Sequence, residues 1–228
     1  KAIEAAQQTL ALLPKGAVKN PRSQKQIAAP WLVNKIFGQW ERLLKTKRPA
    51  DSPPYLRGMW AYTQGSAHIA TDSFTQAAEQ LAQLEALVEL SRKDTSQVGA
   101  TPNARILELA AFSLRGELLE ATGDLDGAIK AFEAGIALED LNNYTEPPDW
   151  PQPLRHYLGA ALLKAGRPVD AETVYRRDLQ WNHNNGWSLL GLHQALLAQG
   201  KTDEAKTVKA AFDTAWQYSN IVLNRSHL

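Results

Sequence analysis

The sequence predicts an all-α chain of stacked helical hairpins, and three observations carry that reading. Apolar residues recur at helical spacing: Leu158, Leu162 and Leu163 share one face of RHYLGAALLKAG, and Ala171, Val174, Tyr175 and Leu179 form one stripe in PVDAETVYRRDL. A tight-turn position returns along the chain as Gly38, Asp72, Gly123, Gly166 and Gly200, at spacings of 34, 51, 43 and 34 residues. Very few segments alternate as strands do.

The elements follow in order. KAIEAAQQTLALLP reads as the second helix of a hairpin ended by Pro14, and the chain, opening inside a helical pattern, reads as a piece of something longer. KIFGQWERLL holds the first turn, preceded by Pro30, which is expected to kink or delay its helix. In HIATDSFTQAAEQL, Ser73 and Gln76 form an S-x-x-Q capping box. The polar run 91–102, SRKDTSQVGATP, is a first insertion, expected to be an exposed, mobile loop. LLEATGDLDGAIKAF is the third turn, followed by a second insertion near 141–153. LLKAGRPVDAETVY is the fourth, and Asn184 and Asn185 stand where an N-cap is needed before WSLLGL. LLAQGKTDEAKTV is the fifth, and AFDTAWQYSNIVL predicts a further helix, 207–223, capping the open end of the stack.

Within this register small and large residues recur. Gly65, Gly116 and Gly159 fall in the middle of first helices, Ala77, Ala128, Ala171 and Ala205 early in second helices, and Leu81, Phe132 and Tyr175 four residues later. With these residues the chain resembles the tetratricopeptide repeat (TPR) family, whose unit is a 34-residue helix–turn–helix. The resemblance implies a right-handed superhelical solenoid of about five repeats, residues 1–228 forming one domain. His193 and Trp31 depart from it, in slots where the family prefers a small residue, as does Asp72 in a glycine slot. Residues 144–199 look like the C-terminal part of longer, uncharacterised bacterial TPR proteins, which implies a bacterial cytoplasm or periplasm without choosing between them.

Composition narrows the function. Twenty-five Lys and Arg face 24 Asp and Glu, a net charge of +1, which argues against nucleic acid or an anionic membrane as the main partner. The absence of cysteine excludes disulfides, thiolate metal sites and cysteine nucleophiles. No run reaches the length of a membrane span. No metal or cofactor is expected: the five histidines make no H-E-x-x-H pattern, and there is no phosphate loop or G-x-S-x-G elbow. The histidines read as surface or half-buried groups. Glu117 and Glu120, on one helix turn, and the pair Arg176 and Arg177 read as solvated charge. Ser226-His227-Leu228 has the form of a peroxisomal address and is read as coincidence.

Counting from each turn residue, the concave face should be lined by Tyr62, Thr63, Ser66, Glu117, Glu120, His156, Tyr157, Lys164, Trp187 and Gln194. In the resembled family this face binds peptides or protein segments. Its carboxylate clamp of Lys, Asn and Arg is absent here. The expected partner is a protein or peptide segment, or the upstream part of the same chain. Two other readings stand beside it: one wall of an enzyme or metal site completed by upstream sequence, and a purely structural or oligomerisation module. The insertion NYTEPPDWPQP is read in two ways as well. Trp150 plugs a gap between repeats, with Asp149 capping or pairing with Arg155, or the loop presents Tyr144, Trp150 and Arg155 to a partner.

Overall fold

The computed structural model describes residues 1–49 and 51–228. Among them α1 (Ala2–Ala11) is followed by five helical hairpins: α2 (Pro21–Ile36) with the short α3 (Trp40–Leu44), α4 (Pro54–Ala70) with α5 (Phe74–Ser91), α6 (Asn103–Thr122) with α7 (Leu125–Glu139), α8 (Leu154–Lys164) with α9 (Pro168–Trp181), and α10 (Gly186–Ala198) with α11 (Thr202–Trp216). Each hairpin packs on its neighbours, α4 against α2 and α6, and α8 against α7, α9 and α10. The architecture is an all-α helical-repeat solenoid.

Local chemistry sets the helix boundaries. Pro21, Pro54 and Pro168 each open a helix, where the missing N–H costs nothing. Asn20, Asp124 and Asn185 cap α2, α7 and α10 through their side chains. The five turn residues all have left-handed φ, from 55° at Asp72 to 95° at Gly123. After each one, the next N–H returns to the carbonyl five residues back, as in Arg167 to Leu162 at 2.9 Å and Ser73 to His68 at 2.8 Å. This is the Schellman closure, and Asp72 performs it without being glycine.

The core runs the length of the stack. Ala77, Ala128, Ala171 and Ala205 are fully buried where hairpins cross, as are Phe132 and Tyr175. A Cβ on Gly116 would lie 2.3 Å from the Phe132 ring, and one on Gly159 would lie 2.3 Å from the Tyr175 ring, so only glycine lets these helices approach.

Four expectations are corrected. The Ser73 side chain caps nothing in α5, since its hydroxyl donates to the Thr71 carbonyl at 3.3 Å. Pro30 does not delay its helix: it lies buried inside α2, which starts nine residues earlier at Pro21. The last helix is α11, the partner of α10, and it stops at Trp216; residues 219–228 are not helical. The first insertion is not simply exposed: Gln97–Val98 pairs antiparallel with Thr101–Pro102, Val98 and Thr101 are buried, and the hairpin packs on α2.

Candidate functional site

The predicted concave residues come together but do not form an open surface. Tyr62, Thr63, Ser66, His156 and Tyr157 are each no more than 2% exposed, and Glu120 is buried too. Glu117 keeps 9% of its side chain exposed, Trp187 and Gln194 are half-buried, and only Lys164 reaches well into solvent. The chain's own segments cover this face: α2 from one end, the Trp150 loop from one edge, and residues 221–228 along its length.

Residues 221–228 cross the face as a non-helical strap, bent at 224–226. Trp216 packs edge-on against Trp187, with ring centroids 5.3 Å apart, and donates its indole N–H to the Ile221 carbonyl at 2.8 Å. Gln194 on α10 donates to the Asn224 carbonyl at 2.8 Å. Arg225 binds Glu120 on α6 at 2.7 Å. The Ser226 hydroxyl donates to the His156 carbonyl at 2.6 Å and accepts from the Tyr175 hydroxyl at 2.7 Å. The His227 ring stacks on Tyr157, with centroids 4.3 Å apart. Burial, with Arg225 beside it, holds the His227 imidazole well below the usual histidine range, so it is neutral at pH 7. The Leu228 side chain reaches the turn at Gly38. Ser226-His227-Leu228 is thus a packed element of the face.

Beneath the strap lies a charged core. Lys35 is 2% exposed and donates to the Tyr157 hydroxyl at 2.5 Å. Its ammonium sits 3.3 Å from Glu117 and over the rings of Tyr62 and Tyr157, at 4.9 and 4.7 Å from their centroids. Burial pulls its pKa down, but Glu117 and the two tyrosines outweigh this and hold it well above the ordinary lysine value. Burial raises the Tyr157 hydroxyl well above its ordinary value, so it remains protonated and passes its hydrogen to Gln152 at 2.6 Å. Ser113 joins Tyr62 to Glu117 through contacts of 3.0 Å each.

The reading of Glu117 and Glu120 as solvated is therefore corrected: both are drawn inward by cations that sequence spacing could not place beside them. His156 is also buried, 3.3 Å from Asp178, which in turn takes the Ser188 hydroxyl at 2.6 Å and the Asn182 amide at 2.9 Å. These partners hold the Asp178 carboxyl below its ordinary value despite its burial. Arg176 is no idle surface charge, since it joins Glu172 on its own helix to Glu204 on α11.

The second insertion splits its predicted residues between two roles. Trp150 is buried against Tyr62, with ring centroids 5.5 Å apart. Asp149 does not pair with Arg155: it accepts from Lys25 at 2.8 Å and from the Ala100 N–H at 3.0 Å, tying the first insertion to the second. Arg155 instead forks onto Asp140 with bonds of 2.8 and 2.7 Å. Tyr144 stands 86% exposed, its hydroxyl bonded to Glu146. Between this loop and the end of α9 opens a cleft of about 560 Å³ that Tyr144, Trp150 and Arg155 all line.

Lys35, Arg225, Ser226, Glu139 and Trp181 were not among the expected residues. Only Lys35 had a signal: Ala28, Leu32 and Lys35 share one helical stripe, and a lysine on an apolar stripe asks for a buried partner. Among the described residues no cluster of three His, Asp or Glu could hold a metal ion, and no helix is long and apolar enough to cross a membrane.

No family model matches the chain, and no curated protein does. Two solved structures are similar to it, both of nearly identical TPR-like repeats of a putative kinesin light chain from Podosopora anserina, one of them a point variant. Each is 18% identical with a TM-score of 0.50. The match to the variant covers 90% of this chain and 97% of that one, and the match to the other covers 91% and 100%. That likeness shows the fold: TPR-like helical repeats.

Proposed function

We propose that this chain is a non-catalytic interaction scaffold that holds an extended protein segment along its concave face. One observation carries the reading. Residues 221–228, non-helical and bent at 224–226, already lie there, held by side chains from α6, α8, α9 and α10. A face that satisfies a segment's carbonyls, hydroxyl and cation in this way has the chemistry to receive another segment of the same kind. Helical solenoids present such a face because each hairpin adds one first helix to it. An incoming segment has to compete with a tethered one, whose effective concentration is of order millimolar for a short linker.

The test uses the full chain with a photo-cross-linking amino acid at Lys164, on the rim, or at the exposed Lys130 as a control. Cross-links to a protein segment should form from position 164 and not 130. A synthetic peptide of residues 219–228 in excess should suppress them. Equal capture at both positions, or capture that the peptide leaves unchanged, sinks the reading.

A further inference from the structure

The strap carries one side chain of the type that titrates near neutral pH, His227, and the fold places it where a proton does not fit. The ring is buried and stacked on Tyr157. Its Nδ1 lies 3.2 Å from the Leu228 carbonyl, and its Nε2 faces the Arg225 guanidinium. A carbonyl only accepts and a guanidinium only donates. The packing therefore selects one tautomer, with the hydrogen on Nδ1 and a bare Nε2. A proton added to Nε2 sets two donors against each other and breaks the contact with Arg225.

The charges around the ring also oppose a new cation. Lys35 comes from α2, Lys164 from α8 and Arg225 from the strap, with His156 of α8 nearby, itself paired with Asp178 of α9. Glu117 and Glu120 of α6 stand against these cations. Glu120 lies 3.9 Å from Nε2, but it already takes Arg225 at 2.7 Å and Lys164 at 3.5 Å, and Glu117 takes Lys35 at 3.3 Å. The other titratable neighbours, Tyr62 on α4, Tyr157 on α8 and Tyr175 on α9, are phenols that burial keeps protonated. Burial, and after it the charge of Arg225, hold the seated imidazole well below the usual histidine range. Released into water, the same ring takes a proton at its ordinary value of about 6.5.

We propose that His227 is an acid-sensitive latch, whose protonation lifts residues 219–228 off the concave face. The released strap binds a proton that the seated strap refuses, so acid favours release. Between pH 7.5 and pH 5.5 the ratio of released to seated strap should rise about tenfold. The latch stands without the concave-face reading, and its test adds no partner.

The experiment uses the full chain, which has no cysteine, with Ser226→Cys as a thiol probe that is buried only while the strap is seated. Labelling by 4,4′-dithiodipyridine is compared at each pH with labelling of a free peptide of residues 219–228 carrying the same substitution, which cancels the thiol's own pH dependence. Protection at 226 should fall about tenfold from pH 7.5 to pH 5.5. Ser91→Cys, at a buried site in α5 away from the strap, should keep its protection at both values. His227→Gln and His227→Phe, neither of which takes a proton, should make protection at 226 independent of pH. Constant protection at 226 in the parent, a fall that persists in either His227 variant, or an equal fall at 91 overturns the latch. So does a His227 ring that titrates at about 6.5 by nuclear magnetic resonance while position 226 stays protected.

Discussion

The concave face and the loop cleft are both built from aromatic and charged residues, yet they end in opposite states. On the concave face nearly every charge has a partner, and those partners come from distant parts of the chain: Lys35 reaches Tyr157 across 122 positions and Arg225 reaches Glu120 across 105. In the cleft, Tyr144 and Trp181 stay in water. The difference teaches that a lining of suitable residues does not make a surface available. What decides is whether the same chain supplies the complement.

The sharpest way to break the comparison is to strip the concave face of one charge. Glu117→Ala should destabilise the fold by about 3–5 kcal/mol in urea unfolding, because it leaves the Lys35 ammonium buried beside two tyrosines without its anion. A loss under about 1 kcal/mol would mean that water reaches Lys35 and that the face is more open than described. Ser226→Ala should cost about 1–2 kcal/mol, since it removes the bridge between the Tyr175 hydroxyl and the His156 carbonyl. No loss there would mean that the strap does not hold its place.

Asp72→Gly should change stability the other way, raising it by about 1 kcal/mol, because Asp72 holds φ 55° in a turn that the other four hairpins give to glycine. A lower melting temperature would show that the aspartate side chain contributes more than its backbone costs.

The cleft gives an effect that depends on pH. Burial raises the Glu139 carboxyl from 4.5 to about 7, against the opposing pull of the Leu154 N–H and Arg155. The folded value lies above the unfolded one. Stability is therefore undiminished below about 4.5 and falls as pH rises through about 7, where the folded carboxyl must ionise. Glu139→Gln should raise the melting temperature over the parent at pH 8 and leave it nearly unchanged at pH 4; the same gain at both values would exclude Glu139 titration as its source.

Much of the fold was legible because its determinants are local. Gly38, Gly123, Gly166 and Gly200 each sit at the turn the spacing assigns, and Asn185 caps α10 as its position before WSLLGL suggests. Ala77, Ala128, Ala171 and Ala205 are buried where the repeat register puts them. The burial of Trp150 was legible too, since prolines fix the loop and a large apolar ring leaves water. The failures were of another kind. Ser73 looked like a cap by pattern, yet its hydroxyl turns back to Thr71. Asp149 had Arg155 nearby in sequence, but the fold brought Lys25 to it from 124 residues away.

The sequence by itself determined the helices, their turns and the repeating small-residue contacts, because these rest on interactions spanning a few residues and recurring from hairpin to hairpin. Only the tertiary structure decided which face is covered. That depends on where a non-repeating segment such as 219–228, and a lone cation such as Lys35, come to rest once the hairpins stack, and no local periodicity encodes the meeting of groups a hundred residues apart.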